Sequence, residues 1–383
     1  MKLKRTLKSV FTRITLLVFG LVIGLILAEI VATIYTKTRK LDKKFEQLKG
    51  KDNSYPKHIG QFDAELGWGL KPEAKEEIVT EEYKVLYAIN SKGLRDKEIS
   101  FSKSSDEFRV VLLGESNVFG IGINYGERFS EIIEQACLNI EVVNMAVEGY
   151  GLDQTLLQLK RDAFQYYPDV VILCIPIQHF LERCTYFKFC RKLKPRFALN
   201  QAKEKIILQD LDFIEEHFCK DAQSDAQTSE VSEQKNKFKV TNILSYLKEA
   251  KKLRSQTESN YYWEENRRNK KYYNEQEFRK LLFLLLKEYK EVCNQNNIDF
   301  CVVYASPYEA NYMANLCKDL GVLNFDLTDV LKKAKKVQAL RFDMDEHYNT
   351  FWHRVVGEYI SDYLINKYKL KKKNYNPQYF GKF

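Results

Sequence analysis

The run Arg109–Leu113 is short, continuous and apolar, the pattern of a strand buried on both faces of a parallel sheet. Val142–Met145, Val170–Ile175, Phe300–Ala305 and Val322–Asp326 repeat it. Between them, Arg128–Leu138, Leu152–Gln165 and Phe278–Asn294 carry apolar residues at helical spacing, and Trp352–Ile365 closes the series as a last helix. Strands alternating with helices of this length predict an α/β fold: a three-layer sandwich around a parallel five-stranded sheet.

Other stretches break this rhythm. Residues 36–104 read as a polar stalk followed by a small β-rich lead-in, with Gly67-Trp68-Gly69 and alternating patterns over Val79–Asn90. Residues 191–280 show no clear βα unit, and 219–237 are polar throughout. Within that insertion, Tyr261, Tyr262, Trp263, Tyr272 and Tyr273 stand among charges. They suit either a sugar-stacking lid or packing of the insertion onto the core. The α/β domain is therefore expected over 105–190 and 281–366, with a loosely attached basic tail at 367–383.

Near the start, Ile14–Tyr35 is an apolar stretch of 22 residues with one charge, Glu29. It is long enough to cross a bilayer as a helix. A basic segment, residues 1–13, precedes it, and no small-x-small cleavage site follows. The expectation is one uncleaved N-terminal transmembrane helix at 14–35. Lys37, Arg39, Lys40, Lys43 and Lys44 follow it and nearly balance the charge across the span, so charge does not set its orientation. Gly20 and Gly24 form a small-xxx-small pair, read either as a helix-packing face or as two ordinary membrane glycines.

Composition narrows the picture. The chain has 383 residues, 45% hydrophobic and 13% aromatic, enough for a packed core. Its net charge of +9 is spread out apart from clusters at both ends, which argues against a nucleic-acid binder. Eight cysteines show no CxxC pair and no metal-ligand spacing, so neither metal nor cofactor is expected. Cys137, Cys174 and Cys301 lie in apolar runs and read as buried thiols. Cys184 and Cys190 are close enough in sequence for a loop disulfide if the domain is extracytoplasmic.

Two places carry candidate chemistry. Gly114-Glu115-Ser116-Asn117 follows the first strand, so Ser116 is expected at the carboxyl end of the sheet, where open α/β folds bind ligands. A turn or helix-capping serine is the plainer reading. Asp345 and His347 precede the last helix, and His347 is one of five histidines. An Asp two residues from a His can orient the ring, and a serine needs such a base to act as a nucleophile. A surface histidine at a helix start is the alternative. His353, inside the helix, reads as packing. Gly120-x-Gly122 does not complete a phosphate-binding fingerprint.

Taken together these segments resemble the SGNH (GDSL-type) hydrolases, in particular membrane-anchored bacterial members. Val110–Gly122 (VVLLGESNVFGIG) looks like the first block, with Glu115 where the family carries Asp. Asn144–Gln154 (NMAVEGYGLDQ) resembles the second, and Asp345–His353 (DEHYNTFWH) the last. Gly67-Trp68 and Asn90–Arg95 look like the lead-in of anchored members. The resemblance covers roughly 60–180 and 280–365. It implies Ser116 as nucleophile, His347 as base and Asp345 as its orienting group. It implies an oxyanion hole from the backbone N–H groups of Ser116 and Gly149. The family's third-block asparagine has Gln178 as its best match, one methylene longer. Asn117, His179 and Asn349 are substrate-binding candidates.

The expected activity is that of a serine esterase or O-acyltransferase on ester-linked acyl groups of cell-surface carbohydrate or a lipid-linked glycan. The resemblance places the domain outside the cell membrane, held by its single span. The departures at Glu115 and Gln178 keep open a catalytically weak glycan-binding or assembly component beside a membrane acyltransferase. A third reading, a basic adaptor for anionic surfaces, rests on the cluster at Lys367–Lys373.

Overall fold

The computed structural model describes residues 58–176, 178–189, 192–218, 274–305 and 310–374. The expected anchor at 14–35, with Gly20 and Gly24, lies outside them, as do Cys190, the aromatic residues at 261–263 and 272–273, and the tail beyond 374. Among the described residues no helix is long and apolar enough to cross a membrane.

Two small hairpins come first: β1 (Gly60–Asp63) with β2 (Gly67–Leu70), and β3 (Lys75–Val79) with β4 (Lys84–Ala88). The core follows as β5 (Phe108–Leu113), α1 (Ser116–Phe119), α2 (Phe129–Ala136), β6 (Ile140–Asn144), α3 (Leu152–Arg161), β7 (Val170–Ile175) and α4 (Gln178–Glu182). The insertion contributes β8 (Lys188–Phe189), β9 (Lys192–Leu193), β10 (Arg196–Leu199), β11 (Ile206–Gln209) and α5 (Leu211–Phe218). The core resumes with α6 (Glu275–Gln295), β12 (Asp299–Tyr304), α7 (Ala310–Leu320), β13 (Leu323–Asp326), α8 (Thr328–Val337) and α9 (Thr350–Tyr368).

The central sheet is parallel, in the order β13-β12-β7-β5-β6. Numbered along the chain, its strands run 2-1-3-4-5 from one edge, the flavodoxin-like order. Val110 to Leu113 in β5 and Val170 to Leu173 in β7 are fully buried, because helices cover both faces. On one face α3, α6 and α7 pack together; on the other α2 lies against α9. That second contact is close: a Cβ on Gly357 of α9 would stand 2.7 Å from Ile132 Cβ.

All five strands and the four main helices fall where the hydrophobic pattern puts them, within a few residues. α7 and α8 are additions to that reading, as are the β10–β11 hairpin and α5 within 191–280. The lead-in strands form as expected. Cys137, Cys174 and Cys301 are buried free thiols, and so is Cys184, which leaves no disulfide to fix the 184–190 loop.

Candidate active site

The order 2-1-3-4-5 reverses direction at the first strand, so the crevice of such a sheet opens beyond the carboxyl ends of its first and third strands. Those are β5 and β7. Ser116 begins α1 three residues after β5, and Gln178 begins α4 two residues beyond Pro176, which follows β7 directly. The side chains of Gln178 and His179 lie outside the described atoms.

The turn after β5 is tight. A Cβ on Gly114 would stand 2.3 Å from Val118 Cγ2, so glycine alone fits there. Glu115 is fully buried and caps α1: its Oε1 accepts Asn117 N–H at 3.1 Å and Asn117 Nδ2 at 2.8 Å. Its other oxygen, Oε2, accepts the Ser116 hydroxyl at 2.5 Å and lies 3.5 Å from Arg183 Nη1. Burial alone would raise the Glu115 pKa; the Arg183 cation and the Ser116 and Asn117 donors outweigh it and hold the carboxyl below its usual range. Glu115 is therefore an anion. Among the described residues it is the hydrogen-bond partner of Ser116 Oγ; His347 is not.

Asp345 and His347 form a pair on the turn before α9. His347 Nδ1 is 2.5 Å from Asp345 Oδ1, which also accepts His347 backbone N–H at 2.9 Å. Tyr83 Oη donates to the second oxygen, Oδ2, at 2.7 Å. Burial works against the Asp345 anion, but the His347 and Tyr83 donors and the His347 charge bring its pKa down to about 2. Burial likewise disfavours the imidazolium, yet Asp345, Glu115 and Glu148 raise the His347 pKa above 6.5. With Asp345 ionised, Nδ1 is the donor of the pair and Nε2 is the face offered to other groups.

These two turns meet. Tyr348 N–H donates to Asn117 Oδ1 at 3.1 Å, joining the residue after His347 to the residue after Ser116. Glu115 and His347 are close enough that each favours the other's charged form. Asn117, expected as a substrate-binding candidate, has its side chain committed to this tie and to Glu115. Asn349 is committed as well: it caps α9 through Trp352 N–H, and its Nδ2 donates to the Ala339 and Arg341 carbonyls. His353 packs as expected, fully buried, its Nδ1 accepting Phe129 N–H.

The loop after β6 supplies Gly149 at φ +80°, a conformation that favours glycine. The backbone N–H groups of Ser116 and Gly149 make no hydrogen bond within the described residues.

No family model matches the chain, and no curated protein matches it. Solved structures do. One is a putative lipolytic protein of the G-D-S-L family from Desulfitobacterium hafniense, at 14% identity over 67% of this chain and 99% of that one, TM-score 0.34. Another is the lipase/acylhydrolase from Enterococcus faecalis, at 10% identity over 70% of this chain and 100% of that one, TM-score 0.35. A third is a catalytic mutant of an acetylxylan esterase from Geobacillus stearothermophilus, at 12% identity over 68% of this chain and 94% of that one, TM-score 0.34. Likeness at this level says nothing of which residues react. The sheet order of this chain, with Ser116 after strand one and Asp345 and His347 before the last helix, speaks for itself. The fold is a doubly wound parallel α/β sandwich of flavodoxin-like order.

In this α/β core the lead-in reaches the segment after Ser116, the loop of Gly149 and the Asp345 turn, contacts that the sequence did not reveal. Trp68 Nε1 donates to the Glu148 carbonyl at 2.9 Å, and Tyr150 Oη donates to the Trp68 carbonyl at 2.5 Å. Arg95, buried, donates to the carbonyls of Phe119, Gly120 and Ile123, just past α1. Glu82 and Tyr83 hold the Asp345 turn. The alternating pattern over Val79–Asn90 signals strands; nothing in it says that a strand-end tyrosine meets a carboxylate 262 positions away.

Proposed function

We propose that the protein is a serine esterase or O-acyltransferase acting on ester-linked acyl groups of carbohydrate. The observation that supports this reading is the bond from Tyr348 N–H to Asn117 Oδ1, which ties the residue after His347 to the residue after Ser116.

In this reading Ser116 Oγ attacks the ester carbonyl carbon, and His347 Nε2 takes its proton while Asp345 steadies the imidazolium. The backbone N–H groups of Ser116 and Gly149, with the Gln178 amide, receive the oxyanion. The proton passes from His347 to the departing alkoxide oxygen, leaving the acyl group on Ser116. Water or a sugar hydroxyl then accepts it. The carbohydrate substrate follows the family resemblance. So do the anchor at 14–35 and an extracytoplasmic site of action on cell-surface or lipid-linked glycan.

One observation favours a second reading, a catalytically weak glycan-binding or assembly component of a membrane acyl-transfer system. The Ser116 hydroxyl is turned to Glu115 rather than to His347. A single experiment separates the two. Wild type and Ser116→Ala are treated with a fluorophosphonate probe and, in parallel, with an aryl acetate. Labelling and turnover by the wild type alone establish the esterase. Equal labelling of both proteins ends it, and glycan affinity that survives Ser116→Ala without turnover establishes the second reading.

A further inference from the structure

We propose that the β3–β4 hairpin belongs to the catalytic apparatus, with Glu82 and Tyr83 as positioning residues that hold Asp345, and through it His347, in working geometry. The inference rests on the reading of Ser116, His347 and Asp345 as the reacting set.

Five contacts converge on a short turn. Glu82 Oε1 accepts the backbone N–H groups of Asp343 at 2.6 Å and Met344 at 3.0 Å, and Oε2 accepts that of Asp345 at 2.8 Å. One carboxylate thus takes three successive backbone donors. Tyr83 Oη donates to Asp345 Oδ2 at 2.7 Å, and its ring packs on Phe342 with centroids 5.1 Å apart. The two residues are themselves fixed by the hairpin turn: Thr80 Oγ1 accepts both their backbone N–H groups at 3.1 Å.

The floor beneath this contact is Gly122, just past α1. Its φ is +77°, and a Cβ there would stand 2.6 Å from Phe342 Cε2 and 3.0 Å from Tyr83 Cδ1. Its N–H donates to Tyr87 Oη on β4 at 2.9 Å. The hairpin, the loop after the Ser116 helix and the Asp345 turn are therefore packed as one unit.

The division of labour at Asp345 is what makes this positional rather than merely adhesive. Oδ1 receives both His347 donors, and Oδ2 is left to Tyr83. Holding the second oxygen fixes the plane of the carboxylate and hence the direction of the bond to Nδ1. It also draws off part of the carboxylate's charge. His347 faces Asp345 on its own turn, Glu115 from the turn after β5 and Glu148 from the loop after β6. Asp345 in turn faces Tyr83 and His347, with Glu82 and Tyr87 on the hairpin nearby. Removing the Tyr83 hydroxyl leaves Asp345 a stronger partner for the imidazolium, while the other charges stay in place.

The test is an NMR titration of the His347 ring in the full chain, wild type against Tyr83→Phe. Loss of one of the carboxylate's donors is expected to move the His347 pKa up by roughly 0.5 unit. In the active protein the acidic limb of kcat/KM moves the same way, with kcat falling and KM unchanged. Glu82→Gln, which replaces an anion by an amide in front of three N–H groups, is expected to lower kcat without touching KM. A melting curve for each variant confirms that it is folded. An unchanged His347 titration in a folded Tyr83→Phe protein overturns the proposal. Because the titration needs no turnover, it is decided separately from the labelling of Ser116, whose failure would overturn the esterase reading alone.

Discussion

The Ser116 hydroxyl donates to its own neighbour, Glu115 Oε2, at 2.5 Å. The extra methylene of Glu over Asp lets the carboxylate fold back far enough to cap α1 with one oxygen and accept the Ser116 hydroxyl's hydrogen bond with the other. A hydrogen bond to a charged group in a buried site is a strong one. In the proposed reaction the Ser116 hydroxyl must leave this bond to engage His347.

Glu115→Asp shortens the reach and is expected to free the hydroxyl. Fluorophosphonate labelling of Ser116 should speed up, by as much as about tenfold if one charged hydrogen bond is being given up. The measurement is the labelling rate constant at fixed pH. Slower labelling in a folded variant would mean that the carboxylate aids the attack instead of restraining it.

The His347 titration sets the pH dependence. Its folded pKa lies above 6.5, and the reaction needs the neutral ring, so kcat/KM should rise with pH through an acidic limb centred above 6.5. The stability linkage has the opposite slope. A raised histidine contributes stability that is complete below pH 6.5 and lost as pH climbs through the folded value. Asp345, lowered from 3.8 to about 2, contributes stability present above 3.8 and lost as pH falls through about 2. Melting temperature against pH checks both; an acidic limb below 6.5 would contradict the raised imidazole.

Trp68 holds the loop that carries Gly149. Trp68→Phe removes the donor to the Glu148 carbonyl and should cost about 1 kcal/mol of stability. Because the same loop carries Gly149, the proposed oxyanion donor, kcat should fall more than stability explains. Denaturant unfolding and steady-state kinetics on the one variant decide whether the two effects separate.

Asp153 on α3 and Lys194 before β10 form a fully buried ion pair, and Lys194 Nζ also donates to the carbonyls of Arg183 and Tyr186. Burial raises the Asp153 pKa and lowers that of Lys194, so each charge depends on the other. Asp153→Asn or Lys194→Met alone should destabilise by about 3–5 kcal/mol, and the double variant by less than the sum. Chemical unfolding of the three variants measures this. The pair fixes the segment bearing Arg183, so loss of it should also loosen the cation beside Glu115.

The hydrophobic pattern was enough for the parallel sheet, because strands buried on both faces must be apolar without a break, as Val110–Leu113 and Val170–Ile175 are. It also gave the place of Ser116, since a residue just past such a strand can only lie at the sheet's carboxyl rim. The Asp345–His347 pair was legible for a similar reason: a separation of two residues on a turn lets one side chain reach the other. What needed the folded chain was everything set by long-range contact. Asn117 and Asn349 looked like ligand donors until their amides were found closing turns. Trp68 and Arg95 lie in lead-in segments that the sequence singled out, but nothing there names their partners; Glu82 and Tyr83 carry no local signature, because a hydrogen bond between residues 262 apart is specified by how the hairpin meets the Asp345 turn and by nothing in the sequence around either partner.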